Sequence, residues 1–158
     1  MKRNLFLLSL VVLFVFTGCK QVKPVKTIEN LKAGITGELT ANAKYKAFAD
    51  KAREEGQASI AKLFDAASQA EGIHAANHQK VLEELGGTME NFTPKFEVKT
   101  TAENLKAAIE GETYEETTMY PQFLADAKTE NVSNATKSFN WAMDTEKKHE
   151  AFYKQALE

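Results

Sequence analysis

The 158-residue sequence predicts an all-α fold: a four-helix bundle written as two repeated helical hairpins with a long crossover loop between them. Three observations predict it. From Thr27 onward apolar residues recur at three- and four-residue spacing, and no strand-like alternation lasts beyond a few residues. The stretch "TIENLKAGITGE" at 27–38 returns as "TAENLKAAIEGE" at 101–112, and "FDAASQAEGIH" at 64–74 returns as "FNWAMDTEKKH" at 139–149. A helical hairpin cannot bury its apolar face alone, so two copies pack on each other about a pseudo-two-fold axis.

Residues 1–18 differ in kind from the rest. Lys2 and Arg3 precede a largely apolar run from Leu5 to Phe16, too short to span a membrane comfortably, and Thr17 and Gly18 lead to the only cysteine, Cys19. This reads as a signal peptide of lipoprotein type, with Cys19 lipidated and 19–26 a lysine-bearing tether; an ordinary secretory signal or a short anchor is the alternative. The expected location is a bacterial cell envelope, lipid-anchored on the periplasmic or outer face. Cleavage would remove two of 20 basic residues and leave 22 acidic ones. So balanced a chain suggests no nucleic-acid partner, and one cysteine excludes a disulfide framework and a Cys-x-x-Cys metal knuckle.

The bundle occupies 27–158. Its helices are expected over 27–55, 57–85, 101–130 and 133–157, with Thr27 and Thr101 as N-caps and Gly56, Gly86-Gly87 and Asn131 as breaks. The repeat offset changes from 74 to 75 residues, and the extra residue is expected near a turn, where insertion is cheapest. A helix of this length measures about 43 Å. The connection from Gly86 to Thr100 reaches at most roughly 50 Å, enough to return along the bundle and make the second and third helices parallel. The same length permits a hairpin to exchange between two chains, leaving a homodimer open.

Four core stripes carry ionisable residues where apolar ones belong. These stripes read Ile28-Leu31-Ile35-Glu38-Asn42-Tyr45, Ile60-Leu63-Ala67-Glu71-His74-Val81-Leu85, Leu105-Ile109-Glu112-Met119-Phe123 and Val132-Ala135-Phe139-Ala142-Glu146-His149-Phe152. Buried carboxylates are costly unless cations balance them. Glu and His three apart share a helix face, so the pairs Glu71/His74 and Glu146/His149, with Glu38 and Glu112, converge on one volume. Two Glu and two Glu-x-x-His pairs form a di-metal carboxylate pattern already described for helical bundles. Glu115, one turn beyond Glu112, has Ala41 as its repeat partner and makes the two metals inequivalent. His78 corresponds to Tyr153 and reads as a neighbour of the site rather than a ligand.

With these residues in place, 27–157 resembles the rubrerythrin branch of the ferritin-like superfamily, most specifically in "GETYEETTMYPQF" at 111–123 beside "AEGIH" and "TEKKH". The resemblance implies a ferritin-like bundle with two irons per chain, manganese or zinc being compatible. Its ligands would be Glu38, Glu71, Glu112, Glu115, Glu146, His74 and His149. It further implies that Glu115 and His74 alternate on one iron with oxidation state, and that Tyr45 and Tyr120 lie beside the site as hydrogen-bond donors or as core packing. The implied activity is a peroxidase: two-electron reduction of hydrogen peroxide in oxidative-stress defence, with dioxygen as the other candidate oxidant. Family members commonly carry a rubredoxin-like domain whose iron sits on four cysteines. This chain has no such cysteines, so an external electron donor is expected. The alternative function is a ferroxidase-type, iron-binding envelope protein without multiple turnover.

Overall fold

The computed structural model describes residues 23–158; Cys19 and the expected signal segment lie outside the described residues. The elements are α1 (Val25–Glu54), α2 (Ala58–Glu84), α3 (Thr101–Tyr114), a π-helical turn (Glu115–Met119), α4 (Tyr120–Thr129) and α5 (Ser133–Leu157). The described residues are helical or irregular throughout, as the apolar spacing predicts. Among them no helix is long and apolar enough to cross a membrane.

Three helix ends close alike. Gln57, Gly87 and Val132 donate their backbone N–H to the carbonyls of Ala52, Leu82 and Ala127, the repeat counterpart of Ala52, at 2.8–2.9 Å. Each closure needs a left-handed residue before it, supplied by Gly56, Gly86 and Asn131 with φ of 75°, 71° and 60°. Gly87 is also sterically required, because a Cβ there would stand 2.2 Å from Leu82 Cδ1.

The helix starts differ from expectation. Pro24, whose φ of −78° suits a helix entry, precedes α1, so Val25 and Lys26 of the expected tether are helical. Thr27 is therefore no N-cap; its N–H and hydroxyl, with the Lys26 N–H, donate to the Glu130 carboxylate at the end of α4. The cap of α3 is Thr100 rather than Thr101: its hydroxyl accepts from Glu103 N–H while the Glu103 carboxylate accepts from Thr100 N–H. Thr101 N–H donates to Glu55 at the end of α1. Glu55 and Glu130 thus cap each other's half of the repeat, using carboxylates where the helix N-terminus carries partial positive charge.

These contacts fix the topology. The rod formed by α3, the π turn and α4 starts beside the end of α1 and ends beside its start, so it runs antiparallel to α1. Since α2 is also antiparallel to α1, α2 and the α3–α4 rod are parallel, and 87–100 crosses over in irregular conformation.

The third expected helix is interrupted, and the repeat explains why. Glu38 and Glu112 are 74 residues apart, whereas Tyr45 and Tyr120 are 75 apart. The extra residue therefore enters between Ala41/Glu115 and Tyr45/Tyr120, where the helix widens into the π turn. Insertion mid-helix, not at the turn, keeps both tyrosines on the inner face.

The core consists of two apolar slabs. One holds Ile28, Leu31, Ile35, Leu82, Phe123 and Phe139; the other holds Tyr45, Phe48, Phe64, Leu105 and Tyr153. Each large side chain removed from water contributes about 1.5–3 kcal/mol. On α5 the expected stripe residue Phe152 is 52% exposed and Tyr153 is buried instead. Both continue from His149, at three and four residues, and only the four-residue step meets the Tyr45 ring.

Candidate metal centre

Between the two slabs lies a layer of buried charge. Glu38 comes from α1, Glu71 and His74 from α2, Glu112 from α3, and Glu146 and His149 from α5; all six are buried. They form two overlapping groups, Glu38-Glu71-His74-Glu146 and Glu71-Glu112-Glu146-His149, each offering ligand atoms within 4.8 Å of one another. Glu71 and Glu146 belong to both groups and divide their oxygens. His74 Nδ1 lies 3.0 Å from Glu71 Oε2 and 3.0 Å from Glu146 Oε1. His149 Nδ1 lies 3.1 Å from Glu71 Oε1 and 3.0 Å from Glu146 Oε2. Glu38 and Glu112 stand at the outer ends, each 3.6 Å from the imidazole of its group.

These contacts are close but are not hydrogen bonds. Glu38 Oε2, both oxygens of Glu71 and Glu146, and Nδ1 of His74 and His149 are buried without a hydrogen-bond partner. Orphaned polar atoms in a core need an explanation. An octahedron of ligands with bonds of about 2.1 Å has edges of about 3.0 Å, the separation found here. The residues therefore fit two cations: Glu38, Glu71, His74 and Glu146 would hold one, and Glu71, Glu112, Glu146 and His149 the other.

Without cations, protons must balance the carboxylates. Burial alone would lower the two imidazoles, but the surrounding carboxylates outweigh it and push both up to about 12. Burial raises Glu38 to about 8 and Glu112 to about 7, against the pull of His74 and His149 respectively. Glu71 is also desolvated, yet its contacts with His149 and His74 hold it below the usual carboxylate range.

Glu115 stands outside both groups. Its Oε1 would lie 3.9 Å from a Cβ placed on Gly37, and it sits at the first residue of the π turn. Burial, followed by the charges of Glu38 and Glu112, raises its pKa well above the usual range. The structure thus brings together six of the seven expected ligands, and Glu115 belongs to neither group.

The tyrosines occupy crossed positions. Tyr45 of the first repeat donates to Glu112 Oε1 of the second at 2.7 Å, and Tyr120 of the second donates to Glu38 Oε1 of the first. Burial, and then the charge of the accepting glutamate, raises both hydroxyls and keeps them protonated donors. Each leaves the outer glutamate one oxygen for a cation.

The match to known proteins covers this whole layer. The rubrerythrin family model matches residues 29–157. The chain belongs to the rubrerythrin family. It is 39% identical over 135 residues to nigerythrin of Nitratidesulfovibrio vulgaris, covering 80% of this chain and 63% of nigerythrin. It is 35% identical over 137 residues to rubrerythrin of Porphyromonas gingivalis, covering 85% and 67%. A structure of nigerythrin in its fully reduced, all-ferrous state superposes with a TM-score of 0.80 at 37% identity, over 90% of this chain and 70% of that one. The chain thus spans under two thirds of nigerythrin's own length.

Within this rubrerythrin-family bundle, two polar residues near the site escaped the stripe argument. His78, expected to be a neighbour, is fully buried and bonded to Tyr120 and Ser138. Ser138 gave no signal, since its repeat partner is Leu63 and serine is common on exposed helix faces. An apolar partner at a buried serine's repeat position was the available clue.

Proposed function

We propose that this protein is a non-haem di-iron oxidoreductase that reduces hydrogen peroxide to water with electrons from an external donor. The observation that carries the reading is the pair of ligand groups sharing Glu71 and Glu146, with seven orphaned ligand atoms facing one another. Family membership and likeness to an all-ferrous nigerythrin support iron as the metal, and hard carboxylate oxygens with imidazole suit it. Two ferrous ions would supply one electron each, so that H2O2, two Fe(II) and two protons give two waters and two Fe(III).

The chain's residues suit that demand. Four glutamates would balance two divalent ions, and Glu115 would supply a fifth carboxylate for the two positive charges gained on oxidation. A π turn at Glu115 gives that segment a local hinge. Tyr45 and Tyr120 hold the outer carboxylates by hydrogen bonds and exclude water behind them. We further read Cys19 as the lipidated residue of an envelope-anchored protein, on the pattern of residues 1–19.

The test is anaerobic loading with Fe(II) followed by peroxide. Rapid oxidation of two irons per peroxide, repeated when a reductant is supplied, is expected; slow or absent oxidation defeats the reading. A second reading, an iron-binding protein that oxidises its metal once, draws on the single cysteine, which leaves no four-cysteine iron site in this sequence. It predicts one round of oxidation and then arrest despite added reductant.

A further inference from the structure

The two halves of the centre are related by the repeat, but the groups behind them are not. Behind Glu38 stand Tyr120, His78 and Ser138. Behind Glu112 the corresponding positions are Tyr45, Tyr153 and Leu63. On the second side, the Tyr153 hydroxyl is buried without a hydrogen-bond partner, and Leu63 packs against the apolar slab. Leu63 also lines a surface groove, but it offers no hydrogen-bonding group to continue a chain from that groove inward.

On the first side the hydrogen bonds are continuous. Tyr120 donates to Glu38, its oxygen lies 3.0 Å from His78 Nε2, and His78 Nδ1 lies 2.6 Å from Ser138 Oγ. The direction of each bond follows from proton counting. A metal-binding carboxylate only accepts, so Tyr120 spends its single proton on Glu38 and its oxygen must accept from His78 Nε2–H. His78 is fully buried and both its hydrogen-bond partners are hydroxyls; a neutral ring with hydrogen on Nε2 accepts at Nδ1. Ser138 O–H fills that place. Every donor thus points inward, toward Glu38.

The outer end of this chain reaches the surface. Ser138 lines a groove of about 180 Å³ between α2 and α5, with Asn77, Lys80, Glu84, Lys137 and Trp141. Ser138 itself is 3% exposed. Gly34 leaves space against the His78 ring, where a Cβ would come within 3.1 Å of Cδ2.

We infer that Ser138, His78 and Tyr120 form a proton inlet from the α2/α5 groove to the Glu38 side of the centre, and that the Glu112 side has none. The inference rests on the peroxide-reducing reading, whose balance calls for two protons per peroxide. In one passage the Tyr120 O–H bond breaks and its proton moves to the Glu38 side, toward oxygen leaving as water. The His78 Nε2 proton moves to the Tyr120 oxygen, the Ser138 proton moves to Nδ1, and groove water reprotonates Ser138. Each member is neutral before and after, so no charge is left in the core. One passage leaves the ring with its hydrogen on Nδ1, so the relay delivers one of the two protons per turnover, and exchange of the ring protons with water between turnovers restores the Nε2–H form. Ser138 and His78 are positioning and relay residues; His78 hydrogen-bonds Tyr120 and Ser138, and its Nε2 stands 3.9 Å from the Glu38 carboxylate.

The test uses the full chain in two metal forms. In the zinc-loaded protein, nitrogen-resolved NMR should show His78 as the Nε2–H tautomer. Exchange of that proton with water should slow at least about tenfold in Ser138→Ala. In the iron-loaded protein, Ser138→Ala should slow peroxide-driven oxidation by at least about tenfold with two irons per chain retained, and Ser138→Thr should restore the rate by returning the hydroxyl. Unchanged exchange in Ser138→Ala, or the opposite tautomer, overturns the inlet whatever the iron chemistry. An iron-loaded wild type that peroxide does not oxidise overturns the peroxidase reading instead, and the exchange difference on zinc still decides the path.

Discussion

Removing metal should make this bundle's stability fall as pH rises. In the metal-free protein His74 and His149 keep their protons to about 12, against 6.5 for an ordinary imidazole. Glu38 and Glu112 keep theirs to about 8 and about 7, against 4.5. All four pKa values are raised by folding, so the stability each contributes is complete below its unfolded value and is lost as pH climbs toward its folded one. Between pH 5 and 8 the folded chain therefore binds more protons than the unfolded chain. A single net proton is worth about 1.4 kcal/mol per pH unit, or about 4 kcal/mol across that window. Bound cations displace these protons, so the loaded protein should lack the decline, and metal affinity should rise with pH. Urea denaturation of chelator-treated and metal-loaded protein between pH 5 and 8 measures both. A metal-free midpoint that stays flat or rises with pH would refute the proton-for-metal account.

Other substitutions separate ligands from neighbours. Glu71→Ala removes a group common to both ligand sets and should lower metal content toward zero, His149→Ala should lower it, and His78→Ala should leave two metals per chain; metal analysis checks all three. Tyr120→Phe leaves His78 Nε2–H without an acceptor and Glu38 without its donor, and should cost about 1–3 kcal/mol in denaturation of the loaded protein. Thr100→Ala dissolves the capping box of α3 and should cost about 1 kcal/mol. Thr101→Val should cost nothing measurable or stabilise, since that hydroxyl is buried and unbonded.

The internal repeat made most of the bundle legible. Because each half must bury a face against the other, equivalence of Glu38 with Glu112 and of Glu71/His74 with Glu146/His149 located the charged layer before any coordinates did. What stayed hidden were features that differ between the halves. The π turn shifts the helical phase by one residue, and the extra residue, expected near a turn, lies inside the helix between the Glu38/Glu112 and Tyr45/Tyr120 pairs. The choice between Phe152 and Tyr153 depends on a rotation that three- and four-residue steps both satisfy. Ser138 and its groove arise from contact between α2 and α5, which no spacing along either helix records. The position of Glu115 outside the ligand groups has no counterpart in the first repeat, where Ala41 stands.

The central claim is that the two groups sharing Glu71 and Glu146 would hold two cations, and metal content with a peroxide titration tests it most directly. The account predicts two irons per chain in the reduced, loaded protein and full oxidation by one peroxide for each pair. One iron per chain, or two that peroxide leaves ferrous, would contradict it.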